Sequence, residues 1–285
     1  MNEIKIHVFH TGNVRVSPYL PFGGEYCNIL KASGLFISKK KWLTLPVSCY
    51  LIEHPKGLIL FDTGWNQDMS PNGIFDKKAQ IKSLGSLMLY KTNQGWVEKG
   101  KCIDEQLANI GIKPSDLDYV VLSHLDCDHA NGLSLVKEAK HIIVSNDELK
   151  FANKKNFITK IRYQKKWWKD INLTGFDFNG YEGPFEKSYD LFGDGSIVLI
   201  NIQGHSDGLC ALKITNKETG NYVLLYSDGG YATKSWMNMI LPGIIDNKGK
   251  GIKSLEWIKK ESLNPKCIES IANHDVDVIP HIIKI

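Results

Sequence analysis

Ten consecutive residues hold most of the chemistry this chain could perform. Residues 123–132 read Ser-His-Leu-Asp-Cys-Asp-His-Ala-Asn-Gly, and four possible metal donors, His124, Asp126, Asp128 and His129, fall within six positions. Two imidazoles and two carboxylates are borderline-to-hard donors, suited to Zn, Mn, Fe or Co rather than copper–thiolate chemistry. The ordinary alternative is a solvated acidic turn with Asp128 capping a short helix. The density of donors and the residues downstream favour the metal. His205 lies in Gln203-Gly204-His205-Ser206, Asp228 in Ser227-Asp228-Gly229-Gly230-Tyr231, and His274 in Asn273-His274-Asp275. Each of these follows an apolar run that reads as a strand. Strand ends hold the backbone firmly, and the loops beyond them let side chains converge.

The elements that must position these donors follow from the same sequence. Ile4–Phe9, Val47–Ile52 and Leu58–Phe61 carry strand signals, and the turn Glu53-His54-Pro55-Lys56-Gly57 joins the last two as a hairpin. Ile103–Ile110 has helical spacing, ended by Gly111 and Pro114. Leu117–Leu122 reads as a buried strand that runs into Ser123-His124. Later strands are expected at Ser196–Ile202, Cys210–Thr215, Tyr222–Tyr226 and Cys267–Ala272, with an amphipathic helix over Lys253–Lys260 and a tail at Val278–Ile285. From Asp147 to about Lys187 the texture changes. Lys154, Lys155, Lys160, Arg162, Lys165, Lys166 and Lys169 alternate with aromatics such as Trp167 and Trp168, and a solvated basic face is the expectation. Strict β–α alternation is missing, so two packed sheets with helices outside are expected. No Pro/Gly/Ser linker divides the chain, which reads as one domain over 1–285.

Composition bounds the partners. Of 285 residues, 42% are hydrophobic and 23% charged, which excludes disordered and fibrous classes. A net charge of +4 is a weak bias, so no nucleic-acid or membrane partner is expected, and nothing sets the oligomeric state. No run approaches the ~20 apolar residues of a membrane span. The first residues alternate like a strand rather than forming a signal peptide, and the six cysteines are scattered without a C-x-x-C pair. A reduced, cytoplasmic protein is the expectation.

These residues resemble a known family. The pattern is similar to that of the metallo-β-lactamase superfamily, His-x-His-x-Asp-His followed by a His, an Asp and a last His. Within it, the chain resembles the N-acyl homoserine lactonases along nearly its whole length. Leu60-Phe61-Asp62-Thr63-Gly64 is similar to the superfamily's early Asp-Thr-Gly turn, and Asp228-x-x-Tyr231 to the lactonases' bridging Asp with an active-site Tyr three residues on. The resemblance implies an α+β fold, an αββα four-layer sandwich of two mixed sheets with helices outside and metals at one edge. It implies two divalent ions, one on His124, Asp126 and His205, the other on Asp128, His129 and His274, with Asp228 bridging and Asp62 orienting a ligand from behind. His281 is the rival for the last position. The implied enzyme is a metal-dependent hydrolase that opens a small-molecule lactone or related ester, as in quorum quenching. A hydroxide between the ions would attack the carbonyl, Tyr231 would donate to its oxygen, and Asp128 would pass a proton to the leaving alkoxide. Phosphodiesterase, thioesterase or β-lactamase activity on the same fold, or a di-iron redox role, are the alternatives.

One position departs from the family. Asp126 stands where the second His is expected. It could still bind the first ion, leave that ion weakly held, or mark a chain that has lost activity, and the first reading is favoured. By formal charge, Asp126, Asp128 and Asp228 with two divalent ions and a hydroxide come to neutral, where the usual set leaves one positive charge. That count favours harder ions such as Mn or Fe over Zn. Substrate contacts are less defined. Trp65, Met69, Met88, Leu89, Tyr90, Trp96 and the Phe157–Phe178 region could wall an acyl pocket, with ordinary core the favoured reading. Val14–Leu45 could be a lid or a dimer arm.

Overall fold

Apolar runs too continuous for one-sided burial organise the chain. In Leu43–His54, Leu45, Val47, Cys49 and Leu51 join one hydrophobic cluster, whereas Tyr50 and Ile52 join another. In Tyr222–Ser227, Val223 and Leu225 share that second cluster, while Tyr222, Leu224 and Tyr226 enter a third. Strands buried on both faces need a layer on each side. The second cluster therefore lies between two sheets, and the other two lie beneath helices.

The computed structural model describes residues 3–285; Met1 and Asn2, ahead of the first expected strand, lie outside the described residues. Its strands in chain order are β1 (Lys5–Val16), β2 (Leu43–His54), β3 (Gly57–Phe61), β4 (Asn93–Trp96), β5 (Tyr119–Val121), β6 (His141–Ser145) and β7 (Leu173–Phe176), then β8 (Ser188–Asp190), β9 (Ile197–Asn201), β10 (Cys210–Thr215), β11 (Tyr222–Ser227), β12 (Cys267–Ala272) and β13 (Ile282–Lys284). One sheet runs β13-β1-β2-β3-β5-β6-β7 with β4 on β1, and the other runs β12-β11-β10-β9-β8. Both are mixed: β3, β5, β6 and β7 pair in parallel, as do β11 and β12, and the remaining pairs are antiparallel. Ile103 and Leu107 of helix Ile103–Asn109 pack on one side, and Leu255 and Ile258 of helix Lys248–Ser262 on the other. This is the four-layer αββα sandwich that the resemblance implied.

Several expectations change in detail. The first strand extends to Val16 across an irregularity between His10 and Asn13. Val14 and Val16 pair with Leu45 and Leu43, so both ends of the presumed lid or arm are sheet. Trp65 and Met69 are fully buried core, Leu89 and Tyr90 pack beside them, and Met88 and Phe157 are exposed. No helix among the described residues is long and apolar enough to cross a membrane.

The parallel strands matter most. Pairing β3 with β5 and β11 with β12 in parallel brings the C-terminal exits of each pair side by side. Asp62 leaves β3 at φ 62° and Ser227 ends β11 at φ 45°. This left-handed backbone is more accessible to short polar side chains than to bulky ones. Thr63 then donates its N–H and its hydroxyl to the His129 carbonyl at 3.0 and 2.6 Å, fastening one donor loop to the neighbouring strand exit. Gly132 closes the fit: a Cβ there would lie 2.4 Å from the Thr63 carbonyl oxygen.

Candidate metal centre

The loops beyond these exits bring the seven expected donors together. His124, Asp126, Asp128 and His129 follow β5, His205 follows β9, Asp228 follows β11 and His274 follows β12. His124, Asp126, His205 and Asp228 form one cluster and Asp128, His129 and His274 another, with the donor atoms of each within 4.8 Å of one another. Asp228 faces both. Its Oδ2 lies 3.7 Å from His205 Nε2 and 4.0 Å from His124 Nε2, while its Oδ1 lies 3.4 Å from His129 Nε2 and 3.2 Å from His274 Nε2. His281 is elsewhere, on Glu269 at 3.1 Å, so the cluster contains the other C-terminal histidine.

What lies behind each ring fixes its tautomer. His129 Nδ1 is 2.8 Å from Asp62 Oδ2, His274 Nδ1 is 2.8 Å from the Pro46 carbonyl, and His205 Nδ1 is 3.2 Å from the Ile244 carbonyl. A carboxylate or carbonyl only accepts, so Nδ1 carries the hydrogen in each case. Ser123 donates its hydroxyl to Asp62 Oδ2 at 2.8 Å, which leaves its oxygen to accept from His124 Nδ1 at 2.9 Å. All four imidazoles thus turn Nε2 toward the cluster, and in the neutral ring that atom carries a bare lone pair. His124 Nε2, His129 Nε2, His274 Nε2 and Asp228 Oδ1 are buried with no hydrogen-bond partner among the described residues. Lone pairs facing carboxylate oxygens at 3.2–4.0 Å are acceptors facing acceptors. A shared cation resolves that arrangement, and tetrahedral coordination at ~2.1 Å would set donors ~3.4 Å apart. The residues fit a metal in both clusters.

Charge points the same way. Burial works against ionised Asp228, yet His274 and His129 hold its carboxyl well below the usual range. Burial also opposes a charged His129, but Asp62 and Asp228 raise it well above its ordinary value, so the surroundings favour positive charge at that spot. His205 is lowered by burial and by Arg162, which keeps it neutral, as a metal ligand must be. Burial first, then Asp228, Asp126 and Asp128, push the Tyr231 hydroxyl well up. It therefore stays protonated and available as a donor. The Tyr231 ring stacks on His274, with centroids 5.1 Å apart at 20°.

A cavity of about 70 Å³ opens over the donors, lined by Asp126, Asp128, Asp228 and Tyr231 and walled by Val14, Val16, Leu20, Leu89 and Ile244. Of the proposed apolar wall, Leu89 reaches this cavity, and Phe157 lines a neighbouring cleft of about 520 Å³ with Phe151 and Ile158. Sequence reasoning overlooked three contributors. Arg162, expected on a solvated face, points inward onto Asp126 at 2.5 Å. Glu148 is fully buried and accepts from the Leu125 N–H at 3.1 Å and the Ser206 hydroxyl at 2.5 Å, joining two donor loops. Gly208 permits that approach, since a Cβ there would lie 2.0 Å from the Glu148 nitrogen. Asn273 donates to Asp62 Oδ2 at 3.1 Å. Only Asn273 had a sequence signal, its place beside His274.

The family model described as Metallo-beta-lactamase superfamily matches residues 42–218. The N-acyl homoserine lactonase AttM of Azorhizobium caulinodans is 25% identical over 238 residues, 83% of this chain and 84% of that protein. The N-acyl homoserine lactonase AiiA of Bacillus thuringiensis subsp. kurstaki is 28% identical over 197 residues, 69% of this chain and 68% of that protein. A solved N-acyl homoserine lactone hydrolase, with N-hexanoyl-L-homoserine bound at its catalytic metal centre, superposes with a TM-score of 0.72. It is 23% identical, with coverage of 97% of this chain and 95% of the other.

Proposed function

The chain belongs to the metallo-beta-lactamase superfamily, and we propose that it is a metal-dependent hydrolase that opens the ring of N-acyl homoserine lactones or closely related esters. One observation carries the reading: Asp228 offers one oxygen to each of two histidine–carboxylate clusters beneath an apolar cavity. His124, Asp126 and His205 would hold one divalent ion, and Asp128, His129 and His274 the other, with zinc, manganese or iron as candidates. Bound there, the ions would supply Lewis acidity and a water made nucleophilic at neutral pH. The donors follow strands of both sheets, so we propose that 1–285 works as one hydrolase domain.

The protein's own groups do the rest. Tyr231, kept protonated among the carboxylates, donates to the oxygen that gains charge as the ester carbonyl is attacked. Asp128 lines the cavity with its Oδ2 3.5 Å from His274 Nε2, where it can carry a proton to the departing alkoxide oxygen. Val14, Val16, Leu20, Leu89 and Ile244 hold the apolar part of the substrate and exclude water. Ile244 and Arg162 also line the 520 Å³ cleft, which gives a longer acyl tail a direction in which to leave. The test is a panel of homoserine lactones, nitrocefin, bis-nitrophenyl phosphate and thioesters, assayed on metal-loaded and chelator-stripped protein. Turnover of lactones that is lost on stripping and regained on reloading is expected. Preference for another panel member would replace the substrate assignment.

A further inference from the structure

Asp126 does not occupy a histidine's place alone. Arg162, the last residue of helix Phe157–Arg162, turns inward from the lysine-rich segment, and its side chain is 12% exposed. Its Nε donates to Asp126 Oδ1 at 2.5 Å, and its Nη1 donates to the His205 carbonyl at 3.0 Å. One guanidinium thus grips the loops of two members of the same cluster. With Oδ1 taken, Asp126 turns Oδ2 toward the cluster, 3.0 Å from His205 Nε2 and 3.4 Å from His124 Nε2. A carboxylate held this way presents a single donor atom, as an imidazole does. Glu148 braces the same two loops through the Leu125 N–H and the Ser206 hydroxyl.

The charge count closes as well. Three carboxylates with two divalent ions and a hydroxide sum to zero, one unit less positive than with a histidine at 126. The arginine restores that unit beside the carboxylate that removed it. We propose that Arg162 is a positioning residue and that the Asp126–Arg162 pair replaces a single metal-binding histidine in both donor number and charge. The charge argument for manganese or iron over zinc then falls away. The inference rests on the two-ion reading above. Lysine is a poor substitute, because it lacks the planar fork that reaches a carboxylate and a carbonyl together.

Metal content by elemental analysis, ion affinity by chelator competition and the visible spectrum of the cobalt-loaded protein test it, on wild type, R162M, R162K, D126H and D126H/R162M. Wild type should hold two ions. R162M should hold the ion of the Asp126 cluster about tenfold or more weakly, the scale of lost supporting contacts, with R162K nearer to R162M than to wild type. D126H/R162M should regain the second ion, and should bind it more tightly than D126H, which leaves the arginine without its carboxylate. Two ions held by R162M as tightly as by wild type would overturn the proposal. So would a double variant that fails to recover the affinity lost in R162M. If R162M does not fold, the folded double variant decides by the same criterion. Fewer than two ions in wild type would overturn the two-ion reading and this inference with it, and is the one outcome in which the wild type itself is at fault.

Discussion

The two donor clusters are alike in chemistry and different in what stands behind them. His129 rests on Asp62, which also accepts from the Ser123 N–H, the Ser123 hydroxyl and Asn273. His274 rests on the Pro46 carbonyl within β2. All of these supports sit at strand positions or strand exits of the packed sheets, and Asp62, Ser123 and Asn273 are fully buried. The other cluster shares that core through His124 on Ser123, and Glu148 braces its loops, but two of its donors lean outward. Asp126 depends on Arg162 from a six-residue helix whose Phe157 and Ile158 are exposed, and His205 on Ile244 in the connection before helix Lys248–Ser262. Peripheral helices open at lower free energy than core strands. The sandwich thus makes one half of the centre part of its core and holds the other jointly, His124 from buried Ser123 and Asp126 and His205 in part from a surface segment.

The most severe way to break this contrast is to remove the residue that belongs to both halves. Asp228→Ala should strip both ions and abolish hydrolysis, read by elemental analysis and lactone turnover; retention of one ion would show that the halves are independent. Next comes Asp62→Ala. It should weaken the ion on Asp128, His129 and His274 by about 10–100-fold in chelator competition. It should also lower the melting temperature, because the buried Ser123 N–H and Asn273 amide lose their acceptor at about 1–3 kcal/mol each. An effect confined to the Asp126 cluster would reverse the comparison.

The same contrast explains what was legible in the sequence. All seven donors announce themselves, because they follow apolar runs and strand exits are readable from such runs; the contrast lies in their supports. Asp62 shows through the Leu60-Phe61-Asp62-Thr63-Gly64 turn and the sandwich through its doubly buried strands. Arg162 does not show. It lies among Lys154, Lys155 and Lys160, all exposed, and nothing local separates an inward arginine from a solvated one. Its partner is 36 residues away, and only the docking of the helix brings them together. Glu148 is hidden for the same reason, as a first-turn acid of helix Asn146–Ala152 that reads as an ordinary helix-dipole residue. Val14–Leu45 was ambiguous because pairing of Val14 with Leu45 spans a long loop that leaves no local signal.

Tyr231 stands between the halves and sharpens the contrast from the substrate's side. Its ring stacks on His274 of one cluster and meets His205 of the other edge-on at 6.3 Å. If its hydroxyl serves the reaction, Tyr231→Phe should lower kcat by roughly tenfold to a hundredfold, with metal content and melting temperature unchanged. Unchanged kcat would reduce the residue to packing.

The smallest expected effect is the most direct reading of the two supports. On titrating the loaded protein with a chelator, the ion of the Asp126 cluster should leave first, with an affinity gap of about tenfold, or ~1.4 kcal/mol. Opening helix Phe157–Arg162 costs Asp126 its guanidinium and His205 one anchor of its loop, while Asp62 and Pro46 stay in place behind His129 and His274. Hydrogen exchange followed during the titration identifies the step. Amides of 157–162 should lose protection as the first ion leaves, and those around Asp62 and Asn273 only with the second. Release in a single phase, with both regions losing protection together, would mean that Asp228 couples the halves more strongly than their separate supports divide them.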